Sequence, residues 1–166
     1  MLRMVLKFAV CVVPMVMFAS VAFANGTHPT SDQNNDGTIT VYKSARFHGD
    51  LGMAMNRWNA LNGNAPKFRF VDTKSNAELV VWKKATNDCW SGMLFHTGAD
   101  EIWLAGGCSE WIRPALHELG HSLGDQHHRC TSYWQARTVM VSDSAGCAVK
   151  LWHPGTYDAA FYRSLL

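Results

Sequence analysis

The sequence predicts one α/β domain, and three observations carry that expectation. First, period-two apolar runs, which read as strands, share the chain with two longer stretches that repeat every three to four residues, which read as helices. Second, the elements follow in the order strand, helix, four strands, helix, irregular segment, helix, without repeats or low-complexity tracts. Third, once a leader is set aside, the remaining length suits a single core.

The leader is MLRMVLKFAVCVVPMVMFASVAFANG, residues 1–26. Arg3 and Lys7 give a positive start, Phe8 to Ala19 an apolar stretch, and Ala22-Phe23-Ala24 a small-residue cleavage site. That is the anatomy of a secretory signal peptide over 1–24. Its apolar part is too short for a membrane span, which needs about 20 residues. Cleavage after Ala24 would leave 142 of the 166 residues, and loss of Arg3 and Lys7 lowers Lys+Arg from 15 to 13, equal to the 13 Asp+Glu. A neutral chain gives no electrostatic reason to expect nucleic acid or an anionic membrane as partner, and the expected form is a secreted monomer, extracellular or periplasmic.

Residues 25–37 (NGTHPTSDQNNDG) read as an exposed polar lead-in, with a single domain expected over 38–166. Asp32 to Gly37 imitates the start of a calcium loop, but its twelfth position is Lys43 instead of a bidentate Glu. A polar turn is the favoured reading, with calcium as the lesser one.

Ile39–Ser44 alternates as a first strand, and Asp50–Leu61 places Leu51, Met55, Trp58 and Leu61 on one helix face before Asn62-Gly63-Asn64 stops it. Lys67–Asp72, Ala77–Lys83, Met93–His96 and Glu101–Ala105 are β-rich runs bounded by turn residues. Gly106-Gly107-Cys108 breaks the sheet. A helix follows and ends near Gly124, with its start open between Ser109 and Pro114, since a residue before proline avoids helical angles. Residues 125–153 are expected as loop, and Gly155–Leu166 as a short terminal helix.

Cys89, Cys108, Cys130 and Cys147 remain after removal of Cys11 with the leader. An even count in an exported chain favours disulfides. Of three pairings, Cys89–Cys108 with Cys130–Cys147 is favoured, because it closes two moderate loops, each contributing roughly 3 kcal/mol in the chain-entropy account, and leaves the histidine segment free.

That segment, His117-Glu118-Leu-Gly-His121-Ser-Leu-Gly124-Asp125-Gln126-His127-His128-Arg-Cys130, carries the chemistry. Histidines four apart share a helix face, so His117 and His121 can offer nitrogens to one ion. Glu118 lies beside them, placed to reach a water rather than the metal. Gly124 allows a left-handed turn, and the reversed chain can return His127 three residues later. His128, the next residue, is expected as a neighbour or surface group. A Glu third ligand is closed, since no Glu follows Glu118, and Asp125 comes too early for the return. The bare HExxH half of the pattern is weak; the full HExxHxxGxxH is far more specific.

The long motif resembles that of the metzincin zinc endopeptidases, with Thr138-Val139-Met140 similar to the methionine turn that lies beneath the metal in that family. The small matrixin-like and snapalysin-like members are nearest in kind. The resemblance implies a twisted mixed sheet of about five strands with two long helices above the cleft, to about residue 124, and a mostly irregular lower part over 125–166 with a C-terminal helix. It also implies one catalytic Zn2+ held by His117, His121 and His127, Glu118 as general base and Met140 as a structural floor. A protein or peptide substrate would pair with an edge strand within Gly92–His96. Ser142 stands where several members have Tyr or Pro, and Asp125-Gln126 departs from the usual residues after the glycine. The alternative is a non-catalytic zinc-binding or disulfide-stabilised interaction module. His28, His48 and His96 lack ligand spacing, and Trp152 and His153 could border a substrate pocket.

Overall fold

A computed structural model describes residues 30–44, 50–108, 110–135, 137–141 and 151–165. The signal segment, His28, His48, Ser142 and Cys147 lie outside the described residues.

The alternating runs form strands β1 (Thr38–Lys43), β2 (Lys67–Phe70), β3 (Leu79–Lys84), β4 (Ser91–Leu94) and β5 (Asp100–Ala105). They lie in the order β2-β1-β3-β5-β4, parallel throughout except for β4, which runs antiparallel to β5 at the sheet edge. Helices α1 (Asp50–Asn59), α2 (Ile112–Ser122), α3 (Ser132–Gln135) and α4 (Thr156–Ser164) complete the architecture. The one-turn α3 falls in a stretch expected as loop, and β4 begins two residues before the expected Met93. Gly92 is responsible for that shift. With no side chain it weakens the β signal, yet it pairs in register with Trp103.

Period sets the packing. Ile39 and Val41, Leu79 and Val81, and Ile102 and Leu104 point from β1, β3 and β5 into one cluster. Leu51, Ala54, Met55 and Trp58 of α1 meet Ile112, Ala115, Leu116 and Leu119 of α2 in the same cluster. Trp58 is fully buried and donates its indole N–H to Leu116 O at 3.0 Å, so the partner of its one polar atom is a carbonyl of α2. Its ring also meets Tyr162 of α4 at 6.2 Å between centroids. The opposite sheet face carries Trp82 and Trp103, stacked at 5.9 Å, with the Lys74 ammonium over Trp82 at 4.7 Å. Lysine stems cover these rings while their charges stay in water.

The lead-in expected as exposed over 25–37 is exposed from Gln33 to Gly37 and is corrected at Ser31 and Asp32. Ser31 and Asp32 are buried. Ser31 N–H donates to Ser122 O at 2.7 Å and its hydroxyl to Asp100 at 2.7 Å. Glu78 accepts from the Gln33 and Asn34 backbone N–H groups at 3.0 and 3.2 Å, and from Thr40 N–H at 2.9 Å. Two buried carboxylates on strand starts thus recruit the polar residues as donors, a pairing that composition does not reveal. Asp32 turns its oxygens inward to Asp36 and Gly37 N–H, at 3.1 and 3.0 Å, closing its own turn.

Cys89 and Cys108 are joined by a disulfide that ties the entry of β4 to the exit of β5. Cys130 is disulfide-bonded as well.

Candidate active site

The helix α2 begins at Ile112, which places Pro114 in the first turn, where its missing N–H has no intrahelical acceptor to lose. At the other end Gly124 adopts φ 90°. Gly124 N–H donates to His121 O at 2.9 Å and Asp125 N–H to Gly120 O at 3.1 Å, the paired bonds of a Schellman stop. The chain reverses there. His128 N–H then donates to Met140 O at 2.7 Å, and His128 bridges in parallel to Val141. This anchors the returning strand and leaves His127 facing α2.

Three imidazoles converge as a result. His127 Nε2 lies 2.9 Å from His117 Nε2 and 3.0 Å from His121 Nε2. The outer nitrogens are occupied: His117 Nδ1 meets Val139 O and His121 Nδ1 meets Asp125 O, each at 2.8 Å. A carbonyl can only accept, so both Nδ1 atoms carry the proton and both Nε2 atoms aim lone pairs inward. A neutral His127 has one N–H to set against two such lone pairs. A cation satisfies all three nitrogens together, and neutral imidazole nitrogens are ligands that suit zinc. Burial favours the neutral form, lowering His117 to about 4 and His127 also below its ordinary value.

Glu118, one residue along the helix, is 3 % exposed. Burial pushes its carboxyl up to about 7, opposed by a hydrogen bond from Ser91 on β4. Its Oε2 is buried with no hydrogen-bond partner among the described residues. An orphaned buried carboxylate oxygen is costly for stability alone, and it suits a group that handles a proton.

Met140 is fully buried. A Cβ added to Gly120 would collide with its sulfur, so the thioether lies directly against α2 between the two histidine positions. The glycine inside His-Glu-Leu-Gly-His is therefore a packing requirement. Sequence reasoning missed it, together with Ser91 and Asp158, and named Thr138 only as part of the methionine turn. Asp158 had a signal: it stands three residues after Gly155, in the first turn of α4, where carboxylates cap.

The remaining candidates lie apart from the triad. The His128 ring stacks on Trp134 at 4.5 Å and meets Tyr157 edge-on at 4.4 Å. His96 Nε2 approaches Glu101 at 4.0 Å, Trp152 covers the Arg113 guanidinium at 4.0 Å, and His153 Nδ1 meets Pro154 O.

Comparison with known proteins decides the family. The model of the astacin peptidase family matches residues 39–142, which include the whole histidine motif and Met140. The chain belongs to the astacin family. It is a metzincin and a zinc-dependent endopeptidase that acts on proteins or peptides. In structure it is similar to high choriolytic enzyme 1, a hatching-enzyme zinc protease from the medaka Oryzias latipes. The identity is 17 %, over 77 % of this chain and 89 % of that one, with a TM-score of 0.49. No curated protein sequence matches it.

Proposed function

We propose that His117, His121 and His127 hold a single zinc ion and that Glu118 is the general base. The observation that carries this reading is the convergence of three Nε2 atoms beside a buried, unpartnered carboxylate oxygen. Zinc supplies a Lewis acid that polarises the scissile carbonyl and lowers the pKa of water. Glu118 takes a proton from the attacking water on its carboxylate and delivers it to the leaving amine. Ser91 steadies that carboxylate from the strand beside it. Met140 floors the site through its contact with α2 and ligates nothing.

The substrate lies extended along β4. That strand ends the sheet order, and its first residue touches Glu118, so a peptide paired there passes the base. Calcium has no part in this reading, since Asp32 directs both carboxylate oxygens to its own loop. Within the metzincins, a single small domain is the trait shared with matrixin-like and snapalysin-like enzymes. The enzyme is exported through the signal at 1–24 and acts as a monomer. No helix among the described residues is long and apolar enough to cross a membrane.

Metal analysis and casein hydrolysis test the proposal together. Wild type should retain about one zinc per chain and cleave casein, and Glu118→Ala should retain the zinc and lose the cleavage. Equal cleavage by both, or loss of the metal on mild dialysis, would overturn it.

A further inference from the structure

Hydrogen bonding from the two helical histidines does not stop at the first carbonyl. The Val139 oxygen that accepts from His117 shares a peptide group with Met140 N–H, which donates to Thr138 Oγ1 at 2.9 Å. The Thr138 hydroxyl then donates to Asp158 Oδ1, on a residue with no solvent exposure. His121 has a shorter version. Asp125 O, its acceptor, shares a peptide group with Gln126 N–H, which donates to the Asp125 carboxylate at 2.9 Å.

Every donor in both chains points from imidazole to carboxylate. A peptide whose N–H is drawn toward a carboxylate has an electron-richer carbonyl, so each link strengthens the one before it. Hydrogen bonds of this kind at a metal-binding histidine hold the ring, select its tautomer and raise the basicity of the other nitrogen. The usual carboxylate partner contacts the ring directly. Here a peptide group stands between, joined in the first relay by the Thr138 hydroxyl.

We propose that Asp158 and Asp125 are positioning residues of the metal site, each acting on one helical histidine: Asp125 through a single peptide group, Asp158 through a peptide group and the Thr138 hydroxyl. The inference rests on the reading of His117, His121 and His127 as zinc ligands. Fold stability does not account for both carboxylates. Asp158 does also accept from Gly155 and Val139 N–H, at 2.6 and 3.0 Å, and so caps α4 and ties down the methionine turn. Asp125, however, is 3 % exposed; its Oδ1 lies 3.9 Å from His128 Nε2, and its Oδ2 is buried without a hydrogen-bond partner among the described residues. A carboxylate so poorly satisfied costs stability. Its place directly after Gly124, within the turn that returns His127, makes sense as service to His121. Asp158 lies beyond the residues matched to the family, so the first relay depends on a segment which that match does not reach.

Thr138→Val and Thr138→Ser separate the relay from the cap, because both leave the Gly155 and Val139 bonds to Asp158 in place. Asp125→Asn removes the charge of the second relay. In zinc-loaded protein, the Nδ1–H proton resonances of His117 and His121 are followed by NMR, and zinc affinity is measured by chelator competition. Thr138→Val should move the His117 resonance upfield and leave that of His121 in place; Asp125→Asn should do the reverse. Each should weaken zinc binding roughly ten-fold, with Thr138→Ser within about two-fold of wild type. Unmoved resonances, movement of both together, or failure of Ser to restore affinity would overturn the inference. If wild type itself does not bind zinc, the ligand assignment falls as well; if it binds zinc and the variants match it, only the relays fall.

Discussion

The parts of the molecule on either side of Gly124 are held together by different means. Before it, β1, β3, β5, α1 and α2 share one apolar cluster in which Ile39, Val41, Leu79, Leu116 and Leu119 have no exposure. After it, the described residues between Asp125 and Leu165 add Val139, Met140 and Tyr162 to that cluster and rest besides on named polar contacts. These are Asp158 with Thr138, Val139 and Gly155, His128 N–H with Met140 O, and the stack of Trp134, His128 and Tyr157. The first part is redundant, since many contacts share its stability. The second is specific, and one atom can decide the position of a histidine. The groups proposed as catalytic straddle the boundary: His117, Glu118 and His121 belong to the packed side and His127 to the hydrogen-bonded one.

The largest expected effect separates chemistry from both kinds of packing. Glu118→Gln keeps the size of the side chain and removes the proposed base, so casein hydrolysis should fall roughly 10²- to 10⁴-fold. The melting temperature and zinc content should stay near wild type. Unfolding at room temperature would instead show that the buried carboxylate supports the fold.

Next comes the packed side. Leu79→Ala should cost about 2–5 kcal/mol, because a fully buried leucine leaves a cavity that a sheet closes poorly. Urea denaturation followed by far-UV circular dichroism measures it. A cost below about 1 kcal/mol would mean that the sheet closes around the cavity and that Leu79 is not held by tight packing.

Across the boundary, Gly120→Ala places a methyl group where the Met140 sulfur lies. Overpacking of this kind should destabilise by about 1–3 kcal/mol. Met140→Ala should relieve it, so that the double variant is less unstable than the two single costs predict. Additive costs would mean that the two sides do not touch at that point.

The smallest effect concerns His128. Its ring packs on Trp134 and Tyr157 with Nε2 3.9 Å from Asp125 Oδ1, so His128→Phe should change stability by no more than about 1 kcal/mol and leave the zinc bound. His127→Phe, one position earlier, should lose the metal. Equal loss in both would exchange their roles.

Legibility in the sequence follows the same division. Apolar period placed five strands and the two long helices, because burial on one face imposes a repeat that survives in the residue order. The long motif placed His117, Glu118, His121 and the turn at Gly124 for a similar reason: helix geometry and a left-handed stop are local. The lead-in was misread at Ser31, which is buried with its hydroxyl on Asp100, dozens of residues away, and at Asp32, which is buried while bonding only within its own turn. Asp125-Gln126 looked like an unexplained departure until its peptide was found beneath His121.

By itself, then, the sequence determined what local geometry can encode: the order of elements, the helix face that carries the histidines, and the place where the chain turns back. Only the tertiary structure decided which distant groups receive the histidines' outer protons, why Gly120 tolerates no side chain, and that Glu118 keeps an oxygen unpartnered among the described residues. Those outcomes depend on Val139, Met140, Ser91 and Asp158 arriving from other elements, and hydrogen bonds between distant segments leave no period in a chain.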